Sequence, residues 1–177
     1  HVLNNLGLIN GKIQNNKIAK EYFQKALSIN KGFMDALVNL GNLELTNGNL
    51  ENSKNYLDKA LQISNSKETD EIINMAIGNY NQQVGNFREA RENFETVNKL
   101  NPNNTGADKS ISLIHNYKNS NDSHLQLMEK KLDLQLSEEN KQKLYFALSK
   151  AYEDIKNYEK SFFYTKAGNK IADKSFN

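Results

Sequence analysis

The stretch GNFREARENFETVNKLNPNN, residues 85–104, reads as a turn, a helix and a stop. Gly85-Asn86 suits a chain reversal, because both residue types tolerate left-handed backbone. Ala90, Phe94, Val97 and Leu100 then recur at three- and four-residue intervals, the spacing that lines one face of an α-helix. Asn101-Pro102 closes the helix, since the proline ring disfavours helical geometry for the residue before it. The same design recurs elsewhere in the chain.

Sliding the sequence against itself brings five segments into register. Asn4-Asn5-Leu6-Gly7 matches Val38-Asn39-Leu40-Gly41 and Met75-Ala76-Ile77-Gly78, and Lys109-Ser110-Ile111-Ser112 and Phe146-Ala147-Leu148-Ser149 continue the series. The successive offsets are 34, 37, 34 and 37 residues. A period of this size marks a solenoid or array, in which each unit buries its apolar face only against its neighbours.

Each unit reads as two antiparallel helices. In the second, the spacing predicts a helix over Met34–Thr46, a turn at Asn47-Gly48-Asn49, and a second helix ending near Ile63 with Ser53, Tyr56, Leu57, Ala60 and Leu61 on one face. Helical periodicity on both flanks rejects the β-hairpin that Asn-Gly otherwise suggests. Gly7, Gly41 and Gly78 fall at matching places in the first helices, and Ala19, Ser53, Ala90 and Ser161 in the second. Glycine inside a helix costs roughly 1 kcal/mol relative to alanine, so its repetition points to close approach of paired helices.

These residues resemble the tetratricopeptide repeat, whose period is 34. In the second unit the resemblance is carried by Leu40-Gly41, Gly48, Ser53, Tyr56-Leu57 and Ala60-Leu61. Leu6-Gly7, Ala19, Phe23 and Ala26-Leu27 carry it in the first unit, and Ile77-Gly78, Gly85, Ala90, Phe94 and Pro102 in the third. The tryptophan common early in that repeat is replaced by Leu3, Leu37 and Asn74. The fifth unit matches from Tyr145 to Ile171, with Ser149 for the glycine and Gly168 for a later alanine. The fourth is degenerate: His124 and Lys131 stand where small residues belong, so its helices are expected to pack less closely. The resemblance implies an all-α, right-handed superhelical solenoid of antiparallel helix pairs. The expected single domain spans residues 1–177, with repeats at about 1–33, 34–67, 71–104, 105–136 and 142–175.

Composition narrows the function. Hydrophobic residues make up 37% and charged residues 25%, which suits a modest core, and acids and bases are interspersed at a net charge of +2. No basic stripe of the kind that binds nucleic acid is present. No apolar run is long enough to span a bilayer, so membrane insertion is not expected, and a cytoplasmic location is. There are no cysteines, which excludes disulfides and thiolate chemistry. Asparagine supplies about one residue in six, placed between regularly spaced apolar residues as an ordinary solvated residue. Phosphate-cradling, dinucleotide and His-Glu-x-x-His motifs are absent, so no cofactor and no catalytic residue are expected. His115 and His124 flank an inter-helix turn but lack a third ligand of obvious spacing, and no metal site is assigned. Ser137 with Glu138-Glu139 reads as a helix start, the acids complementing the positive end of the helix dipole. Tyr152, Tyr158, Phe162, Phe163 and Tyr164 are expected in the core and between repeats.

The family resemblance implies a non-catalytic scaffold that binds a protein or peptide along the first helices of the repeats. On their open face are placed Asn4, Leu8, Val38, Asn42, Leu45, Met75, Asn79, Gln82, Lys109, Leu113, Phe146 and Lys150, with Asn39 at its edge. Asparagine offers both a donor and an acceptor and can bind a peptide backbone whatever its sequence. Asn39, Asn42, Asn79 and Gln82, flanked by Val38, Leu45 and Met75, are therefore the expected partner-binding residues. Some members of the family grip chaperone tails with lysines and arginine on this face. Of the corresponding Asn4, Leu8, Asn39, Ile72 and Ala76 only Asn39 matches, so chaperone tails are not expected partners. Self-association through the open ends of the array is a further expectation.

The stretch Leu136–Ile171 is more specific. Its serine-acid-acid start, Phe146-Ala147-Leu148, Lys150-Ala151-Tyr152-Glu153-Asp154, Asn157-Tyr158-Glu159 and Asn169 resemble the last repeat of bacterial tetratricopeptide–sulfotransferase proteins. That resemblance implies an alternative, in which a catalytic domain using 3′-phosphoadenosine 5′-phosphosulfate lies beyond residue 177. No catalytic residue carries over to the present chain.

Overall fold

The computed structural model describes residues 1–175 and folds them into helices alone. Ten are present among the described residues: α1 (Val2–Lys12), α2 (Asn16–Ile29), α3 (Met34–Thr46), α4 (Leu50–Ile63), α5 (Lys67–Gln83), α6 (Phe87–Leu100), α7 (Thr105–Ile114), α8 (Ser123–Lys131), α9 (Glu138–Asp154) and α10 (Tyr158–Ser175). They form five successive helix pairs, as the repeat requires, and the predicted bounds of α3 and the end of α4 coincide with those observed. The chain divides into two compact units, His1–Ala90 and Arg91–Asn177.

In the first unit α1 packs on α2 and α3 on α4, while α2 meets α3 and α4 meets α5, so successive pairs interlock. The core runs through Ala19, Phe23, Leu40 and Leu43, and then through Leu37, Val38, Leu57, Ala60, Ile73 and Ala76. Close approach sets the small positions. A Cβ added to Gly41 would lie 2.7 Å from Cδ2 of Leu57, and one added to Gly7 would lie 2.4 Å from the Phe23 ring. At the turn, Gly48 has φ of 78°, the left-handed value its place in Asn-Gly-Asn predicts. Leu61, expected on the packed face of α4, is half-exposed instead, because that face is already filled by Ser53, Leu57 and Ala60.

In the second unit α9 is the central element, with α7, α8 and α10 packed around it. Its core joins Tyr117, Leu125, Met128, Leu144, Leu148 and Tyr152. Ser137 caps α9 by accepting from the backbone N–H of Asn140 at 3.3 Å, with Glu138 and Glu139 in the first turn as predicted. The aromatic expectation divides. Tyr152 is buried and Tyr164 packs against the same core, but Tyr158, Phe162 and Phe163 are 65%, 70% and 63% exposed. Although α10 packs on α9, these three side chains stay open to solvent.

Candidate peptide-binding face

The partner-binding residues expected from the sequence all lie on α3 and α5 of the first unit, but they do not all face solvent. Val38 and Leu45 are only 3% and 6% exposed. Val38 belongs to the core it shares with Ile73 and Ala76 of α5, and the Gln83 amide donates to the Leu45 carbonyl at 3.1 Å. Docking of α5 on α3 thus removes Val38 from the open face, and Leu45 is buried as well. Asn4 is buried as well, and its Oδ1 accepts from Nδ2 of Asn39 at 2.9 Å. That bond ties α1 to α3 and commits Asn39 to structure.

What remains available is mixed, amides beside apolar side chains. Asn42, Met75, Asn79 and Gln82 are half-buried, and Leu8 on α1 is exposed. Among the described residues, the side chains of Asn42 and Asn79 have no hydrogen-bond partner within the chain. Between α1 and α3 lies a cavity of about 320 Å³, lined by Leu8, Gly11 and Lys12 on one side and Asn39, Asn42 and Thr46 on the other. Its size lies at the lower end of the range for small-ligand pockets and suits one or two peptide side chains.

One ion pair with a buried acid joins α2 to α3. Glu44 is fully buried, with Oε1 2.6 Å from Lys20 Nζ on α2 and Oε2 accepting from Asn49 Nδ2 at 2.7 Å. Burial alone would raise the Glu44 carboxyl. The hydrogen bonds from Lys20, Asn49 and Asn52, together with the Lys20 charge, outweigh that effect and hold it below the usual carboxylate range.

A second polar cluster, in the second unit, was not expected from the sequence. Asp108 on α7 is fully buried, and Lys131, His124 and Asn98 around it are 3%, 5% and 8% exposed. Lys131 Nζ donates to Asp108 Oδ2 at 2.7 Å and to Asn98 Oδ1 at 3.0 Å, and Asn98 Nδ2 donates to Asp108 Oδ1 at 2.9 Å. An ionised aspartate only accepts, so the Nε2 proton of His124 faces Asp108 at 3.3 Å, and Nδ1 meets the buried Tyr117 hydroxyl at 2.6 Å. Burial is the main cause that pushes the Tyr117 phenol well above its ordinary value. The large residues that make the fourth repeat degenerate are therefore partners of a buried acid, and α7 and α8 are joined by side chains in place of close backbone contact.

The two histidines do not converge on a common point. His115 Nδ1 takes the Arg91 guanidinium at 2.9 Å, and its Nε2 meets Asp122 Oδ2 at 2.7 Å. Asp122 in turn caps α8 through the backbone N–H groups of His124 and Leu125. Among the described residues no group of three or more His, Asp and Glu side chains is arranged to hold a metal ion.

With paired helices, glycine-mediated contacts and the open first-helix face in hand, comparison with known proteins decides the family. The tetratricopeptide repeat profile matches residues 1–33, 35–67 and 73–104, more than half of the chain. This chain belongs to the tetratricopeptide repeat family. The fourth and fifth helix pairs lie outside the matched segments. No curated protein matches the chain significantly. Among solved structures, this tetratricopeptide chain is similar to PilF of Pseudomonas aeruginosa, with a TM-score of 0.72 and 17% identity over 96% of this chain and 75% of that one. MamA follows at 0.62 and 18% over 96% and 95%. YrrB, described as a tetratricopeptide protein with an unusual peptide-binding site, follows at 0.58 and 15% over 96% and 84%. At these identities the likeness is one of fold. Tetratricopeptide domains mediate protein–protein interactions and are typically non-catalytic. Among the described residues, no helix is long and apolar enough to cross a membrane.

Proposed function

We propose that this chain is a cytoplasmic, non-catalytic scaffold that binds an extended segment of a partner protein along α1, α3 and α5 of its first unit. Asn42 and Asn79 take the partner's backbone, and the cavity beside Asn39, Asn42 and Thr46 takes a side chain. The observation that carries this reading is the pair of half-buried amides, one repeat apart on α3 and α5, whose hydrogen-bonding capacity the described residues leave unused. A groove that reads backbone amides is tolerant of peptide sequence, so affinity comes from main-chain hydrogen bonds and selectivity from the cavity.

The test is a peptide library panned on the intact chain, followed by calorimetry on the strongest binder. Each lost hydrogen bond costs on the order of 1 kcal/mol, so Asn42→Ala/Asn79→Ala should weaken binding by about 30-fold without moving the thermal transition. Gly41→Leu, which drives a side chain into Leu57, should instead damage the fold. Selected peptides that bind the double variant as tightly as the parent would rule this face out.

Two further readings rest on specific observations. The exposed Tyr158, Phe162 and Phe163 on α10 favour self-association through that end, checked by the size of the chain in solution. The α9–α10 pair carries the resemblance to the bacterial tetratricopeptide–sulfotransferase proteins, and its small-residue contact is kept by Ser149 Oγ donating to the Ser161 carbonyl at 3.1 Å. On that reading the gene continues past residue 177 into a strand, a phosphate-binding loop and a helix, and the encoded sequence there decides it.

A further inference from the structure

The second unit holds a cavity of about 510 Å³ between α6 and α8, the second helices of the third and fourth pairs. Asn98 and His124, both nine-tenths buried or more, form its floor. Neither can shift freely, because each is hydrogen-bonded into the cluster around Asp108. One wall is Arg91 and Glu95, joined at 2.7 Å between Nε and Oε1. The Arg91 guanidinium also holds His115, so its charge is already committed.

Lys99 and Lys130 are different. Both line the cavity from its exposed side, and among the described residues neither has a carboxylate partner. In the same lining Leu127 offers an apolar side chain that is 41% exposed. Two uncommitted ammonium groups beside an apolar surface, over a rigid floor, are complementary to a carboxylate next to an apolar group.

We propose that this cavity is a second recognition site, separate from the first-unit face, that takes an acidic segment of a protein: Lys99 and Lys130 pair with a glutamate or aspartate, and Leu127 packs against an adjoining apolar side chain. A phosphate or nucleotide fits less well. The Glu95 carboxylate in the wall opposes a multiply charged anion, no accessible aromatic face is present to stack a base, and the polar atoms of the floor are already paired. A peptide carries its charges on separate side chains, so it can place one carboxylate at the lysines and keep the others clear of Glu95.

The probe is a fluorescein-labelled short peptide of alternating glutamate and leucine, titrated with the intact chain and followed by anisotropy. Lys99→Glu/Lys130→Glu should raise Kd by about tenfold or more. Lys17→Glu/Lys31→Glu makes the same charge change at exposed positions of the first unit and should move Kd by less than about threefold. Leu127→Asn should weaken binding several-fold, and Asn42→Ala/Asn79→Ala should leave it unchanged, which separates this site from the first-unit face. Far-UV circular dichroism checks that the variants fold, as expected for exposed positions. The proposal is overturned if the two lysine double variants weaken binding equally, if millimolar phosphate or adenosine monophosphate displaces the peptide, or if the peptide does not bind.

Discussion

The buried Asp108–Lys131 pair gives the sharpest test of how the second unit is held together. Replacing Lys131 with methionine keeps most of the side-chain volume and removes the ammonium that lies 2.7 Å from the Asp108 carboxylate. Asp108 is fully buried, so water cannot take the place of the lost charge without opening the unit. Breaking one partner of such a pair costs about 3–5 kcal/mol, because the remaining charge is left uncompensated. A unit of roughly 85 residues has about 4–13 kcal/mol in total, so Lys131→Met removes a large fraction of its stability. Hydrogen exchange locates the loss: amides of α9, the central helix of that unit, should exchange two to three and a half powers of ten faster, at about 1.4 kcal/mol per tenfold. Amides of α3 and α4 should be unchanged.

The double variant Asp108→Asn/Lys131→Met completes the cycle. Asparagine keeps an acceptor for His124 and a donor for the Asn98 carbonyl oxygen that Lys131 vacates, so the site becomes neutral and still hydrogen-bonded. The double variant should be more stable than Lys131→Met, with a coupling energy of about 1–3 kcal/mol. Should Lys131→Met alter α9 protection by less than about tenfold, Asp108 is not a buried charge that Lys131 neutralises, and the account of this cluster is wrong.

Two further outcomes concern the first unit. Ser53 is fully buried and, among the described residues, its hydroxyl has no partner, which carries a desolvation cost with no return. Ser53→Ala should therefore stabilise by about 1 kcal/mol and raise the melting temperature of this unit by about 4–8 °C. The Glu44 carboxyl is held below its ordinary value in the folded chain, so its contribution is present above the unfolded value of about 4.3 and is lost as pH falls through the folded value. Urea midpoints of the first unit should fall more steeply below about pH 4.5 in the parent than in Glu44→Gln.

The fold was legible because periodicity and turn chemistry repeat. Met34–Thr46, Gly48 and the close contact at Gly41 each obey a local rule that one sequence displays several times. The site was legible only in part. Val38 and Leu45 sit on the first-helix face by spacing, but spacing on one helix does not reveal how far the next repeat covers it. The polar cluster escaped because His124 and Lys131 read only as misfits at small-residue positions, with no partner named for either, and partners up to 33 positions apart meet only in the fold. A signal was nevertheless present. Asp108 occupies the repeat position held by Leu3, Leu37 and Asn74, and an acid at a core position requires a cation. Lys131, at a place meant for a small residue, is that cation.

The two recognition sites differ in the physics that drives them, and ionic strength separates them in one experiment. On the first unit the proposed contacts are uncharged amides, Asn42 and Asn79, whose hydrogen bonds are nearly indifferent to salt. At the α6–α8 cavity the contacts are two exposed lysines, whose attraction for a carboxylate is screened over about 8 Å at physiological ionic strength and about 3 Å at 1 M. A peptide selected on the first unit should then keep its Kd to within about twofold between 0.05 and 1 M sodium chloride, whereas the glutamate–leucine peptide should lose about tenfold or more. If salt leaves the glutamate–leucine peptide unaffected, apolar contact with Leu127 and not charge holds it, and the roles given to Lys99 and Lys130 fall. If salt weakens both peptides equally, the amide contacts on α3 and α5 are not what binds the first.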